Sequence, residues 1–134
     1  YYNRGDQIIF TRDTHYDDYL NTPEGRKLPV KHCIFCSKGW KIVDGLEVPN
    51  CMYVNKNTFG TLQWRNMTWI SKGDIELIGL CTDICVISNA LILKAMFPNT
   101  EITVDAGCCA GSTQEKHKAA LEAMKSCQIN VIGE

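Results

Sequence analysis

The sequence predicts an α/β fold: a doubly wound parallel sheet with helices on both faces, in a single domain spanning residues 1–134. Two observations carry that expectation. Short apolar runs alternate with longer stretches of helical character, and the runs are too uniformly apolar for strands with one wet face. Alternation of this kind is the pattern of βα units rather than of hairpins.

The predicted strands are "QIIFTR" (7–12), "CMYVN" (51–55), "IELIGL" (75–80), "EITVDA" (101–106) and "INVI" (129–132). A helix is predicted from Asp83 to Phe97, stopped by Pro98, and a second from Thr113 to Ser126. Ser112 and Glu115 have the spacing of a capping box at the start of that second helix. Thr82 is placed to cap the first. The chain shows no repeat, no low-complexity tract and no linker.

A net charge of −1 provides no drive toward nucleic acid or an anionic membrane. With no apolar run of 18 residues and no leader pattern, the expectation is a soluble, cytoplasmic protein. The eight cysteines fall partly inside long apolar segments, which fits reduced thiols better than a secreted disulfide scaffold.

In a doubly wound sheet, ligands bind beyond the carboxyl ends of the strands. The residues there are Asp13 and His15 after the first strand, Lys56 after the second, Cys81 to Cys85 after the third, and Gly107, Cys108 and Cys109 after the fourth. Cys85 falls in the first turn of a helix, where unpaired N–H groups and the positive end of the dipole favour a thiolate. At an ordinary thiol pKa of about 8.5 only roughly 3% is ionised at pH 7, so a drop of about two units makes the thiolate the majority species. Lys56 would add a full positive charge. Cys85 would then be a nucleophile for acyl transfer, with turn amides as oxyanion donors. The bland alternative is a small buried apolar side chain.

Asp13, His15 and His32, with Glu24 as a fourth, have the chemistry of a divalent metal site for zinc, iron or manganese. The competing reading is a polar surface loop. His117, in "QEKHKAA", is expected on a solvated helix face.

These segments resemble the isochorismatase-like cysteine hydrolases, and within them the nicotinamidases. "GLCTDICV" is similar to the family's nucleophile turn, "NKNTFG" to its lysine segment, and "RDTH" and "KHC" to its metal segments. The resemblance implies Cys85 as the catalytic cysteine and Lys56 as the catalytic lysine, with the amides of Cys81 and Cys85 as oxyanion hole. It implies Asp13, His15 and His32 as ligands of a metal, zinc first, with Glu24 beside them. It also implies a cis peptide between Leu80 and Cys81, a substrate pocket including Leu28 and Phe59, a small-molecule amide substrate, and a homo-oligomer.

The chain departs from the family pattern in three places. Cys36 and Ser37 stand where a glycine and threonine are expected, creating the pair Cys33 and Cys36, and Leu28 stands near the usual pocket tryptophan. Family members also begin with a central strand ending in a catalytic aspartate, whereas "YYNRGDQIIF" corresponds to the end of the helix after it. The expectation is therefore a fragment of a longer chain, or a strand supplied by another segment or subunit. Neither Asp6 nor Asp13 suits the missing role. Two other readings remain: a relative cleaving another small amide, ureide or ether without a metal, and a thiol-rich metal or redox module built on Cys33 and Cys36.

Overall fold

Five strands, each paired in parallel within its own sheet, and three α-helices, with short 3-10 and π-helical turns between them, make up the regular structure, which a computed structural model describes for residues 5–134. The helix end expected at the start of the chain falls in part on residues 1–4, outside the described residues. The chain folds as two compact units, one ending at Thr58 and one running Phe59–Glu134.

In the first unit, β1 (Ile9–Asp13) and β2 (Met52–Lys56) pair in parallel, from Ile9 against Met52 to Asp13 against Lys56. Both strands therefore end at the same level, with Asp13 and Lys56 side by side. The connection between them holds a short helix, α1 (Pro23–Lys27), which the sequence pattern does not predict. Its start follows local rules: Thr22 accepts a hydrogen bond from the Gly25 amide at 3.0 Å, and Pro23 occupies the first turn. A Cβ at Gly25 would stand 2.0 Å from the Tyr19 carbonyl oxygen, so the helix docks this close only with glycine there.

In the second unit, β3 (Ile75–Leu80), β4 (Ile102–Ala110) and β5 (Asn130–Ile132) form a parallel sheet in the order β3-β4-β5. The register between β3 and β4 shifts between Leu77 and Gly79. Helices α2 (Ile87–Met96) and α3 (Gln114–Ser126) contribute Ala90, Leu93, Ala120, Leu121 and Met124 to the core, with Ile102, Val104 and Ile129 from the sheet. All five expected strands and both expected helices form, each within a few residues of its predicted span, β4 extending furthest beyond it.

Two expectations about burial and capping need correction. The apolar runs at 51–55 and 75–80 are not buried throughout: Ile78 is 50% and Leu80 70% exposed, because only alternate side chains of β3 face the interior of its unit. Neither predicted helix cap forms. Thr82 makes no cap bond, and α3 is capped by Thr113, whose hydroxyl accepts from the Lys116 amide at 3.2 Å. Ser112 is engaged elsewhere. No helix among the described residues is long and apolar enough to cross a membrane.

The polar centre of the second unit is Asn89, buried on α2. Its amide nitrogen donates to the carbonyls of Phe59 (3.1 Å) and Cys85 (2.8 Å). Its oxygen accepts from the Thr61 amide (3.1 Å) and the Trp64 indole N–H (3.0 Å). All four of its hydrogen-bonding positions are thereby used. Leaving a buried partner unsatisfied costs about 1–3 kcal/mol. Asn89→Ala orphans two donors and two carbonyls, so it should lower unfolding stability by about 3 kcal/mol or more in urea melts; a loss below about 1 kcal/mol would contradict this role.

Candidate active site

The first unit gathers most of its candidate side chains at and just past the ends of β1 and β2. Backbone hydrogen bonds set their positions: the Thr14 amide donates to the Lys56 carbonyl (2.8 Å), the His15 amide to the Cys33 carbonyl (3.0 Å), and the Phe35 amide to the His15 carbonyl (2.8 Å). His15 and Ile34 thus form a parallel bridge, which carries His32 to within 4.9 Å of His15, ring centroid to centroid. One ligand atom each from Asp13, His15 and His32 lie within 4.8 Å of one another. Among the described residues this is the cluster of metal-ligand type, and it contains no cysteine.

His32 Nδ1 lies 2.8 Å from the Val30 carbonyl, which can only accept, so Nδ1 donates, and in the neutral imidazole Nε2 is left as the ligand atom. His15 Nε2 is buried with no hydrogen-bond partner, an expensive arrangement for a polar atom. The Glu24 carboxylate lies 3.6 Å from His15 Nε2 and 3.9 Å from His32 Nε2. Two imidazole nitrogens, one of them buried without a hydrogen-bond partner, and two carboxylates fit a divalent cation.

Lys56 is buried, and its ammonium donates to the Asp13 carboxylate and to the Thr58 carbonyl (3.3 Å). Tyr19 closes the other side, its hydroxyl donating to the Leu28 carbonyl at 3.0 Å. Burial, then the Glu24 and Asp13 carboxylates, push its phenol pKa up, so it stays neutral. Burial likewise raises Cys33, which is held as a thiol. Trp40 donates its indole N–H to Thr14 at 2.9 Å and stacks under the Arg12 guanidinium, whose carbon is 3.9 Å from the ring centroid. The Leu28 side chain is exposed.

In the second unit, β3 ends in a cis peptide between Leu80 and Cys81, as the resemblance implies. The chain then enters one π-helical turn, Thr82–Val86, before α2 begins. The Cys81 carbonyl accepts from the amides of Ile84 and Val86, both at 3.1 Å. Cys85 sits half-buried in this turn, its carbonyl bound by Asn89. All eight cysteines are unbridged. On β4, Cys108 is held as a thiol by its hydrogen bond to Asp105, and Cys109 by burial. Phe59 is exposed, with its carbonyl tied to Asn89.

Three residues of this region were not legible beforehand. The Asp83 carboxylate accepts from the Ser112 amide (2.7 Å) and hydroxyl (2.6 Å), instead of serving only the helix dipole. His117 is not on a solvated face: its Nδ1 lies 2.8 Å from the hydroxyl of the fully buried Thr82. Asn89, four residues after Cys85, had no signal beyond a polar residue in an apolar helical run.

The isochorismatase domain family matches residues 2–133. The chain belongs to that family, and is by class an isochorismatase-like hydrolase. Among solved structures it is similar to a nicotinamidase/pyrazinamidase from Bacillus subtilis, with 24% identity, a TM-score of 0.82, and coverage of 98% of this chain and 77% of that one. A pyrazinamidase/nicotinamidase from Streptococcus mutans gives 24% identity, a TM-score of 0.82, and coverage of 98% and 78%. A pyrazinamidase from Pyrococcus horikoshii in complex with zinc gives 20%, 0.80, and 99% and 78%. At these identities the likeness establishes the fold. No curated protein sequence matches the chain.

The Asp83–Ser112 contact has a pH signature. Hydrogen bonding from Ser112 lowers the Asp83 pKa from its ordinary value near 3.8. A carboxylate with a depressed folded pKa contributes stability that is fully present above its unfolded value and is lost as pH falls through the folded one. Ser112→Ala should therefore destabilise the protein at pH 7, and the difference from the parent should shrink as the pH is lowered below about 3.8. An equal difference at all pH values, measured by urea melts, would contradict the assignment.

Proposed function

We propose that the protein is a cysteine amidohydrolase that cleaves a small carboxamide, nicotinamide first, to the carboxylate and ammonia. The observation that carries this reading is Cys85 in the first turn of the helix after β3, in a chain of this family. Amides at a helix start favour the thiolate over the thiol and offer donors to a developing oxyanion.

Cys85 Sγ attacks the amide carbonyl carbon, and the carbonyl oxygen takes the negative charge beside the amides of Cys81 and Cys85. When the tetrahedral species collapses, the C–N bond breaks and nitrogen leaves as ammonia, carrying the proton that the thiol gave up. Water then attacks the thioester, releasing the carboxylic acid and restoring Cys85. The family resemblance gives Lys56 the role of the catalytic lysine, and within its own unit its bond to Asp13 holds the ammonium at the end of β2. The proton carrier in the family is an aspartate that neither Asp6 nor Asp13 matches.

Asp13, His15 and His32 would hold a divalent cation, with Glu24 at the edge, and the bound ion would supply a Lewis-acid anchor for a heteroaromatic ring nitrogen. The orphaned Nε2 of His15 supports this assignment. The family resemblance assigns Leu28 and Phe59 each to substrate contact. A cytoplasmic place in pyridine nucleotide salvage and a homo-oligomeric assembly follow from the same resemblance.

Two measurements check the proposal. Cys85→Ala should lower ammonia release from nicotinamide or pyrazinamide by on the order of 10³-fold or more, and full activity in that variant would refute the nucleophile. Equilibrium dialysis against zinc should give about one ion per chain, with affinity reduced at least ~10-fold in His15→Ala. Equal binding by the parent and the variant would remove His15 from the metal site.

A further inference from the structure

The π-helical turn that carries Cys85 has no side-chain cap of its own at Cys81. Its first two side chains are instead held from the segment that opens α3. Thr82, with no exposed surface, meets His117 Nδ1 at 2.8 Å, and the next residue, Asp83, takes both hydrogen bonds of Ser112. His117 is seated closely: a Cβ on Gly111 would lie 2.8–2.9 Å from the His117 Cβ, Cα and N atoms, so the backbone passes this near only as glycine. The backbone that carries His117 is therefore held close to Gly111, and its imidazole spans from α3 to the turn as a strut.

Resting on the reading of Cys85 as nucleophile, we propose that His117 is a positioning residue for that thiol, acting through Thr82. The hydroxyl of Thr82 can orient in only a few ways, and the bond to Nδ1 selects one. That fixes the backbone entering the turn, and with it the amides that face the sulfur and the oxyanion. Reacting groups must be held closely for thiol addition, since a displacement of about 1 Å costs on the order of 10²-fold in rate. The strut leaves ground-state binding of substrate untouched, so its loss should appear in kcat and not in KM.

The test follows Cys85 directly, by mass spectrometry of the peptide carrying it during alkylation with iodoacetamide, beside the kinetics of ammonia release from nicotinamide. Removing the strut in His117→Ala should slow Cys85 alkylation and kcat about tenfold each, with KM within about twofold of the parent. His117→Asn, which places a polar atom near the position of Nδ1, should recover most of both, whereas His117→Gln, which reaches toward Nε2, should not. Thr82→Val should match His117→Ala, and the double variant should be no slower than either single one.

Parent-like alkylation and kcat per folded molecule in His117→Ala, with only a lower melting temperature, would overturn the proposal and leave the nucleophile in place. If His117→Ala does not fold, Asn and Gln variants that alkylate at equal rates would overturn it in the same way. Parent Cys85 that alkylates no faster than the exposed Cys36, together with full activity in Cys85→Ala, would overturn both this proposal and the reading on which it rests.

Discussion

Buried polar groups must find partners, and that requirement governs both units of this chain. In the second unit it is met in full: Asn89 spends every donor and acceptor on the loop before it and on the Cys85 carbonyl, so the turn that carries Cys85 is fastened from inside the fold. In the first unit it is met by the Asp13–Lys56 pair, by Tyr19 and by the His32–Val30 bond, and among the described residues it fails at one side-chain atom, His15 Nε2. That exception among satisfied neighbours supports the proposed metal site.

Strand ends explain why these groups stand where they do. Parallel pairing of β1 with β2 makes the strands finish together, which sets Asp13 against Lys56 without any specific long-range signal. The segment after β1 is then drawn alongside residues 33–35, and His32 is delivered to His15 by backbone bonds alone. The same logic puts Cys85 past the end of β3, in the turn where the chain passes into a helix.

Much of this was legible in the sequence. Apolar runs bounded by polar clusters located all five strands, and reading the strand ends singled out Asp13, His15, Lys56 and Cys85 as candidates. Local caps were harder, because Ser112 and Thr82 each had a long-range partner that outcompeted the local one. A hydroxyl near a helix start reads as a cap in sequence, and only the fold reveals that Asp83 or His117 lies closer. The exposure of Ile78 and Leu80 was hidden for a related reason: an unbroken apolar run carries no information about which of its two faces its own unit covers. Helix α1 was missed because five residues are too short to show a period, although Thr22 and Pro23 were a usable start signal.

The most direct test of the account is to trap the covalent step. Mixing the purified protein with nicotinamide or pyrazinamide, quenching in acid within the first turnovers and digesting should yield a Cys85 peptide heavier by the corresponding acyl group, with mass differing between the two substrates. An acyl group found on another residue, or ammonia released at full rate while Cys85 is never modified, would contradict the central claim that this thiol carries the reaction.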